Sequence, residues 1–218
     1  MKSGTKLVTK GSIKRLFLYK ICLGRMKKMG IKRVFSYSLG PEAGVTPEQV
    51  RKDFSEFRIR GNQRAGYDID TLLGELEGVI QKTENADIIL VGMGNIGQAL
   101  ANYNWLNQRN INIVATFDID PSKQRKRSDV VIYPMERLAE IISRFRVRVA
   151  IIAVPEISAQ EVCNQVVEAG IKGIVNFAPV ILKVRSGIVV NNINLYEEVE
   201  SVFYWVDHEK IKNNNHHQ

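Results

Sequence analysis

A short glycine-rich segment, Gly92-Met93-Gly94-Asn95-Ile96-Gly97, directly follows the apolar run DIILVG and precedes a segment with helical periodicity. In this arrangement the first glycine permits a tight turn, the second lets the backbone approach a pyrophosphate, and the third allows a helix to pack closely on a strand. The helix N-terminus that follows offers unpaired N–H groups to phosphates. The segment therefore predicts a phosphate-binding turn at the first strand of a parallel α/β sheet. The alternative is a tight strand-to-helix turn that binds nothing.

An acidic residue stands where a dinucleotide-binding sheet places one. Asp118 ends the second predicted strand, INIVATFD, 21 residues after Gly97. A carboxylate there can accept hydrogen bonds from the ribose hydroxyls of adenosine and repels a 2′-phosphate. The two signals together predict NAD(H) as the cofactor. Two alternatives remain, a plain turn residue or a 2′-phosphate site built from the basic residues Lys123, Arg125, Lys126 and Arg127.

Strands and helices alternate through the rest of this part of the chain. Five apolar runs predicted as strands alternate with helices predicted at 96–108, 135–145 and 158–169. This order predicts a Rossmann-type parallel sheet with helices on both faces. A last helix is predicted over 194–206. Its apolar face would carry Leu195, Val199, Val202, Phe203 and Val206.

Charge separates the N-terminal third from the remainder. Residues 1–67 hold 16 Lys and Arg against four Asp and Glu, whereas the rest of the chain holds 15 against 19. A basic module joined to a slightly acidic one suggests that the first module meets a polyanion, the alternative being a solvated basic face. The polar segment KTENA marks the boundary. The predicted domains are 1–82, 83–192 and 193–218.

Two helices are predicted within the basic module. The first spans 12–29, with Ile13, Leu16, Phe17, Ile21 and Met29 at roughly helical spacing. The second begins at T-P-E-Q, where Thr46 suits the N-cap, Pro47 the first helical position and Gln49 a capping box. Its predicted inward stripe comprises Val50, Phe54 and Phe57. Arg51 and Lys52 fall off that stripe and are predicted to point outward.

Sequence signals of catalysis are absent. The three histidines all follow residue 207, and the chain has no Tyr-x-x-x-Lys, no G-x-S-x-G and no Cys/His cluster with metal-ligand spacing. A dehydrogenase needs an acid–base group near its nicotinamide. We therefore expect a sensor that is not an enzyme, with no metal. The chain also lacks a run of 18 apolar residues, so no membrane span is expected.

Several segments taken together carry a family resemblance. TPEQVRKDFSEF, GNQRAGYDID, VGMGNIGQALANY, FDIDPSK and AGIKGIVNFAPV closely resemble the Rex redox-sensing transcriptional repressors, in register from about Arg15 to Trp205. The resemblance implies a homodimer in the bacterial cytoplasm. Each α/β subunit would have an N-terminal winged-helix domain, a Rossmann domain and a C-terminal helix swapped against its partner. Such repressors bind operator DNA when NADH is low and release it on binding NADH.

The resemblance also implies two sets of site residues. The cofactor set is Gly92, Gly94, Asn95, Ile96, Gly97, Tyr103, Asp118, Pro155, Asn176, Phe177, Ala178 and Pro179. The set that binds double-stranded operator DNA is Thr46, Gln49, Arg51 and Lys52 on the recognition helix, with Arg58, Arg60 and Arg64 in or beside the wing.

Three departures from the family pattern keep other readings open. The wing has a shifted basic residue, Asn194 stands where the family often has Asp, and Gly40-Pro41 is expected to break or shorten the helix before the recognition helix. One alternative is a diverged Rex paralogue with weakened DNA binding or redox response. Another is a small enzyme subunit, either an NAD-dependent oxidoreductase or a CoA-binding ligase subunit, since AGIKGIVNFAP is similar to CoA-binding Rossmann domains.

Overall fold

The computed structural model describes residues 9–59, 66–80, 86–102, 111–122 and 131–214. The chain divides into two separately packed units, residues 1–83 and 84–218, and the division falls within the polar segment KTENA. Each unit has its own apolar core.

The described residues of the N-terminal unit form four helices and one small antiparallel strand pair. The helices are α1 (Lys10–Lys28), α2 (Ser36–Glu42), α3 (Pro47–Glu56) and α4 (Ile69–Ile80), and the strands are β1 (Arg33–Val34) and β2 (Tyr67–Asp68). α1 packs on α4, and α2 packs on α3 across a four-residue turn. The two strands bracket the helix–turn–helix, with β1 before α2 and β2 after α3, which agrees with the predicted winged-helix fold.

The buried face of α1 differs from the predicted one. Leu16, Tyr19, Leu23 and Met26 are buried, whereas the predicted core residues Phe17, Ile21 and Met29 are exposed. Leu16 was predicted correctly, whereas Phe17, Ile21 and Met29 were wrong, because the buried face of α1 is centred on Tyr19. Its ring packs edge-on against Phe54, and its hydroxyl reaches a buried acceptor.

The segment Gly40-Pro41 does not break its helix. α2 is short, but it continues through both residues to Glu42. A Cβ on Gly40 would lie 2.8 Å from the Val45 carbonyl oxygen, so only glycine permits this approach of the turn to the helix. The Val45 N–H donates to the Gly40 carbonyl at 2.9 Å, which closes the helix end just after Pro41.

A buried carboxylate joins α3 to α1. Asp53 is fully buried and accepts hydrogen bonds from Arg15 (2.6 and 2.7 Å), the Tyr19 hydroxyl (2.7 Å) and the Gln49 amide (2.8 Å). Burial raises the pKa of Asp53, but these hydrogen bonds outweigh burial and the net pKa shift is downward. Burial, followed by the hydrogen bond to Asp53, raises the pKa of Tyr19. A buried charge is tolerated when it is paired in this way, and the pairing fixes the position of α3.

The C-terminal unit is built on a six-stranded parallel sheet. Its strands are β3 (Ala86–Val91), β4 (Ile111–Phe117), β5 (Ile132–Tyr133), β6 (Val149–Ile152), β7 (Gly173–Asn176) and β8 (Val189–Asn192). The spatial order is β5-β4-β3-β6-β7-β8 and every pair is parallel. This is the doubly wound Rossmann order, so the predicted Rossmann-type parallel sheet is confirmed. The sequence did not predict β5, which is only two residues long.

Helices cover both faces of this sheet, which explains the continuous apolar runs of its strands. They are α5 (Asn95–Ala101), a 3-10 turn (Met135–Arg137), α6 (Leu138–Phe145) and α7 (Glu156–Glu168). Along β3 the side chains of Ile88 and Leu90 enter one apolar cluster, and those of Ile89 and Val91 enter another on the opposite face.

The last helix, α8 (Leu195–Asn214), exposes its apolar side chains between Leu195 and Val206 within the single chain. The predicted stripe, hereafter the α8 stripe, is 46 to 74% exposed and comprises Leu195, Val199, Val202, Phe203 and Val206. Asn194 precedes the helix, and its side-chain oxygen accepts from the Tyr196 N–H at 3.1 Å. Among the described residues, no helix is both long and apolar enough to cross a membrane.

The hydrogen-bonded carboxylate in the N-terminal unit gives a stability prediction. Asp53→Asn removes the charge that Arg15 and Tyr19 are paired with, and removing one partner of a buried pair costs about 3 kcal/mol. Urea unfolding followed by far-UV circular dichroism should show this loss. Hydrogen exchange in peptides covering residues 47–56 should accelerate. Asp70→Asn, which removes an exposed partner of Lys27, is the control and should change both measurements little.

The same pair predicts a pH dependence. Because the folded-state pKa of Asp53 lies below its unfolded value of about 3.9, its contribution is fully present above that pH and is lost as the pH falls through the folded pKa. The stability difference between wild type and Asp53→Asn should therefore shrink on acidification below about pH 4. A difference that stayed constant into acid would contradict the assigned pairing.

Candidate functional site

The glycine turn after β3 uses its three glycines in three ways. Gly92 has φ +99°, and a Cβ there would lie 2.5 Å from the Ala153 carbonyl oxygen at the end of β6. A Cβ on Gly97 would lie 1.8 Å from the Gly92 carbonyl oxygen, so α5 could not pack against the turn. A Cβ on Gly94, in contrast, would meet no atom within 4 Å. The first and third glycines build the turn, and the second leaves its outer side open.

Asp118 braces this turn from the end of β4. It is 7% exposed, and one carboxylate oxygen accepts from the Met93 N–H while the other accepts from the Asp120 N–H, both at 2.8 Å. Each carboxylate oxygen can accept more than one hydrogen bond. Asp118 therefore holds the glycine turn in place and can also act as an acceptor for a ligand. The bond to Met93 was not foreseen from the sequence.

A cleft of about 300 Å³ opens between the carboxyl ends of β3 and β6. Here the order of the strands reverses, since β4 and β5 lie on one side of β3 and β6 to β8 lie on the other. Open α/β sheets bind ligands at such a switch point. Its walls are mainly apolar and include Gly92, Gly94, Asp118, Ile119, Met135, Val154, Pro155 and Ser158. Asn95 and Ile96 are exposed in the first turn of α5, beside the open side of Gly94.

The segment 176–179 lies at the carboxyl end of β7, one strand beyond β6, and does not line this cleft. The buried amide of Asn176 donates to the carbonyls of Ala178 and Val180 and to the side chain of Asn192, and accepts from the Ala178 N–H. Asn176 thus holds its own loop in shape. Phe177 is half-buried, Ala178 buried and Pro179 exposed. Tyr103 lies outside the described residues.

The start of α3 follows the predicted cap in part. The Thr46 hydroxyl accepts from the Gln49 N–H at 3.2 Å, as expected for an N-cap. The predicted capping box is wrong, because the Gln49 amide donates to Asp53 instead of returning to the Thr46 backbone. Arg58 is exposed in the left-handed region at φ +57°. Arg60 and Arg64 lie outside the described residues.

Four exposed residues form the outward face of α3. They are spaced i, i+3, i+4 and i+7, and they are Glu48, Arg51, Lys52 and Ser55. The Arg51 guanidinium donates to the Glu48 carboxylate at 2.6 Å and to the Ser36 hydroxyl at 2.9 Å. A hydrogen bond from its own backbone, followed by the one from Arg51, lowers the pKa of Glu48. Sequence reasoning missed Glu48, although the helical spacing that placed Arg51 outward also places Glu48 there.

Comparison with protein families divides the chain in a similar way. The family described as "Putative DNA-binding protein N-terminus" matches residues 8–55, and the family described as "CoA binding domain" matches residues 83–180. The first match covers α1 to α3, and the second covers β3 to β7 with the glycine turn.

Whole-chain relatives are more specific. The redox-sensing transcriptional repressor Rex of Oenococcus oeni is 35% identical over 212 residues, covering 94% of this chain and 96% of the relative. Rex of Pelotomaculum thermopropionicum is 39% identical over 194 residues, covering 88% and 91%.

Solved structures agree with these relatives. The crystal structure of RSP, a Rex-family repressor, in complex with NAD+ and operator DNA matches with a TM-score of 0.87 at 31% identity, covering 96% of this chain and 97% of RSP. RSP in complex with NADH matches with a TM-score of 0.85 at 30% identity, covering 96% and 99%. Because these relatives are 35 and 39% identical over 94 and 88% of the chain, the chain belongs to the Rex family of redox-sensing transcriptional repressors.

Proposed function

We propose that this protein is a transcriptional repressor that binds operator DNA when NADH is low and releases it when NADH binds. The observation that carries the proposal is the presence, in one Rex-family chain, of a dinucleotide turn braced by Asp118 and a recognition helix with exposed Arg51 and Lys52. RSP has been solved with NADH, and with NAD+ and operator DNA. The whole-chain relatives of this protein are named as transcriptional repressors, and repressors are not enzymes.

In this proposal NAD(H) lies in the cleft between β3 and β6. Its pyrophosphate sits over the open side of Gly94, where the first N–H groups of α5, at Asn95 and Ile96, face it. Asp118 accepts from the adenosine ribose, and Pro155 contacts the ligand from the end of β6. Tyr103 and the segment 176–179 are proposed to contact the nicotinamide end on the family resemblance alone.

In the same proposal the N-terminal unit binds the major groove through α3. Arg51 and Lys52 contact DNA from the outward face, Thr46 and Gln49 lie at the helix start, and Arg58, Arg60 and Arg64 contact the backbone from the wing. Net positive charge makes such binding strongly dependent on salt, because each phosphate contact releases counterions. The proposed domains are 1–82 for DNA binding and 83–192 for the nucleotide, with 193–218 for dimerisation.

The α8 stripe supports a dimer. Five apolar side chains on one helix are exposed in the single chain, and a contiguous apolar surface of this kind usually marks an interface. We infer that α8 swaps onto the partner subunit, so that two copies of α3 are held at a fixed spacing. Operator half-sites lie at fixed helical spacing, so a modest reorientation on NADH binding removes one subunit's contacts. A DNA-binding repressor of this kind acts in the cytoplasm.

A second candidate is favoured by the CoA-binding match over residues 83–180. CoA also carries an adenosine and a pyrophosphate, which the glycine turn would accept. CoA has a 3′-phosphate on its ribose, however, which Asp118 would repel. Calorimetric titration with CoA beside NADH separates the two candidates, and the proposal requires that NADH binds more tightly.

The functional test is release of DNA by reduced nucleotide. An operator fragment selected from genomic DNA, labelled and bound by the protein, should dissociate on addition of NADH, with an affinity loss of about 5- to 150-fold. NAD+ at the same concentration should release much less. Equal release by both nucleotides would contradict redox sensing, and no selected fragment at all would indicate the diverged paralogue.

Asp118 is predicted to set cofactor choice. Asp118→Asn can still accept from the Met93 N–H but loses the charge, and a hydrogen bond to a charged acceptor contributes about 1.5–3 kcal/mol. NADH binding measured by calorimetry should weaken accordingly, and the gap between NADH and NADPH should narrow. Asp120→Asn, on the same cleft wall, is the charge-matched comparison. Wild-type NADH affinity in the Asp118 variant would refute the ribose assignment.

The α8 stripe is predicted to hold the dimer. Val202→Glu introduces a charge into the stripe, and a buried unpaired charge is strongly unfavourable. The variant should sediment as a monomer at concentrations where wild type is a dimer. Ser201→Glu, on the same helix but off the stripe, should remain dimeric. A dimeric Val202→Glu protein would place the interface elsewhere.

A further inference from the structure

The outward face of α3 carries an acidic residue at the end that leads a recognition helix into DNA. Glu48 lies in the first turn of α3, and its side chain is 73% exposed. N-terminal residues of a recognition helix contact base edges in the major groove. DNA is a polyanion, so a carboxylate at this place opposes binding to any phosphate and requires an explanation.

Arg51 is occupied by its own chain in this structure. One arm of the guanidinium donates to Glu48 at 2.6 Å, and the other donates to Ser36 at the start of α2 at 2.9 Å. Reading a guanine requires both arms, since O6 and N7 each accept one hydrogen bond. To contact a guanine, Arg51 must therefore either leave Glu48 or divide its N–H donors between Glu48 and the base.

The two kinds of DNA contact treat this pair differently. A phosphate offers acceptors to Arg51 but no donor to Glu48. Glu48 would then lose its hydrogen bond from Arg51 and lie beside the negative charge of the phosphate. A G·C base pair offers guanine acceptors to an arginine and the cytosine amino group to a carboxylate. Both members of the pair are satisfied only by base edges.

We propose that Glu48 is a specificity-determining residue, which keeps Arg51 from binding phosphates nonselectively and yields it to base edges in the operator. This inference rests on the proposed DNA-binding function. Restraint of Arg51 by Glu48 is useful to a chain whose first 67 residues carry a net charge of +12. Such a basic unit binds any duplex, and the genome offers many competing sites.

Glu48→Gln tests the proposal in the full-length protein. Affinity for a random duplex should rise. The slope of log affinity against log salt should steepen by up to about 0.9, the value for one additional phosphate contact. Affinity for a selected operator should rise less or fall, so the ratio of specific to random affinity should drop about five-fold or more. Thermal unfolding confirms that each variant is folded.

Two comparisons isolate the mechanism. Asp70 on α4 carries an equally exposed carboxylate, which pairs with Lys27 of α1 at 2.6 Å. Asp70→Asn should leave the ratio of specific to random affinity unchanged. In an Arg51→Ala background, Glu48→Gln should have little effect, because the residue it restrains is gone.

Three results would overturn the inference. They are no gain in random-duplex affinity on Glu48→Gln, an equal change of the ratio in Asp70→Asn, and an undiminished effect in the Arg51→Ala background. Failure of the wild-type protein to select any sequence would instead refute the proposed function. The random-duplex measurements would still decide the role of Glu48.

Discussion

The backbone is tightly packed where the ends of β3 and β6 meet the start of α5. Gly92 and Gly97 have no room for a side chain there, because each would meet a carbonyl oxygen of a neighbouring segment. This crowding makes α5 begin directly above the strand ends, and the cleft opens beside it. Asp118 holds the same turn through the Met93 N–H. The proposed nucleotide binding requires this backbone arrangement.

A buried carboxylate performs a similar task in each unit. Asp118 fixes a backbone turn that faces a ligand cleft, and Asp53 fixes a recognition helix through Arg15 and Tyr19. In both units the interior contacts set the position of an exposed surface. We propose that these two surfaces bind ligands, the nucleotide at Gly94 and DNA at the outward face of α3.

Local features of the sequence predicted the glycine turn and the Thr46 cap well, because each depends on residues within one turn of chain. Long-range pairing was not predictable in this way. The inward position of Tyr19 follows from its hydrogen bond to Asp53, which lies 34 residues away. The predicted cofactor contacts at 176–179 followed from resemblance, and the structure shows that Asn176 holds its own loop.

If one chain couples NADH binding to operator binding, thermodynamic linkage makes the effect of each ligand on the other equal. If NADH weakens operator binding by a certain factor, operator must weaken NADH binding by the same factor. NADH affinity should be measured by calorimetry with the protein alone and with saturating operator. The account predicts an affinity lower by about 5- to 150-fold in the presence of operator. Equal affinities in the two titrations would contradict it.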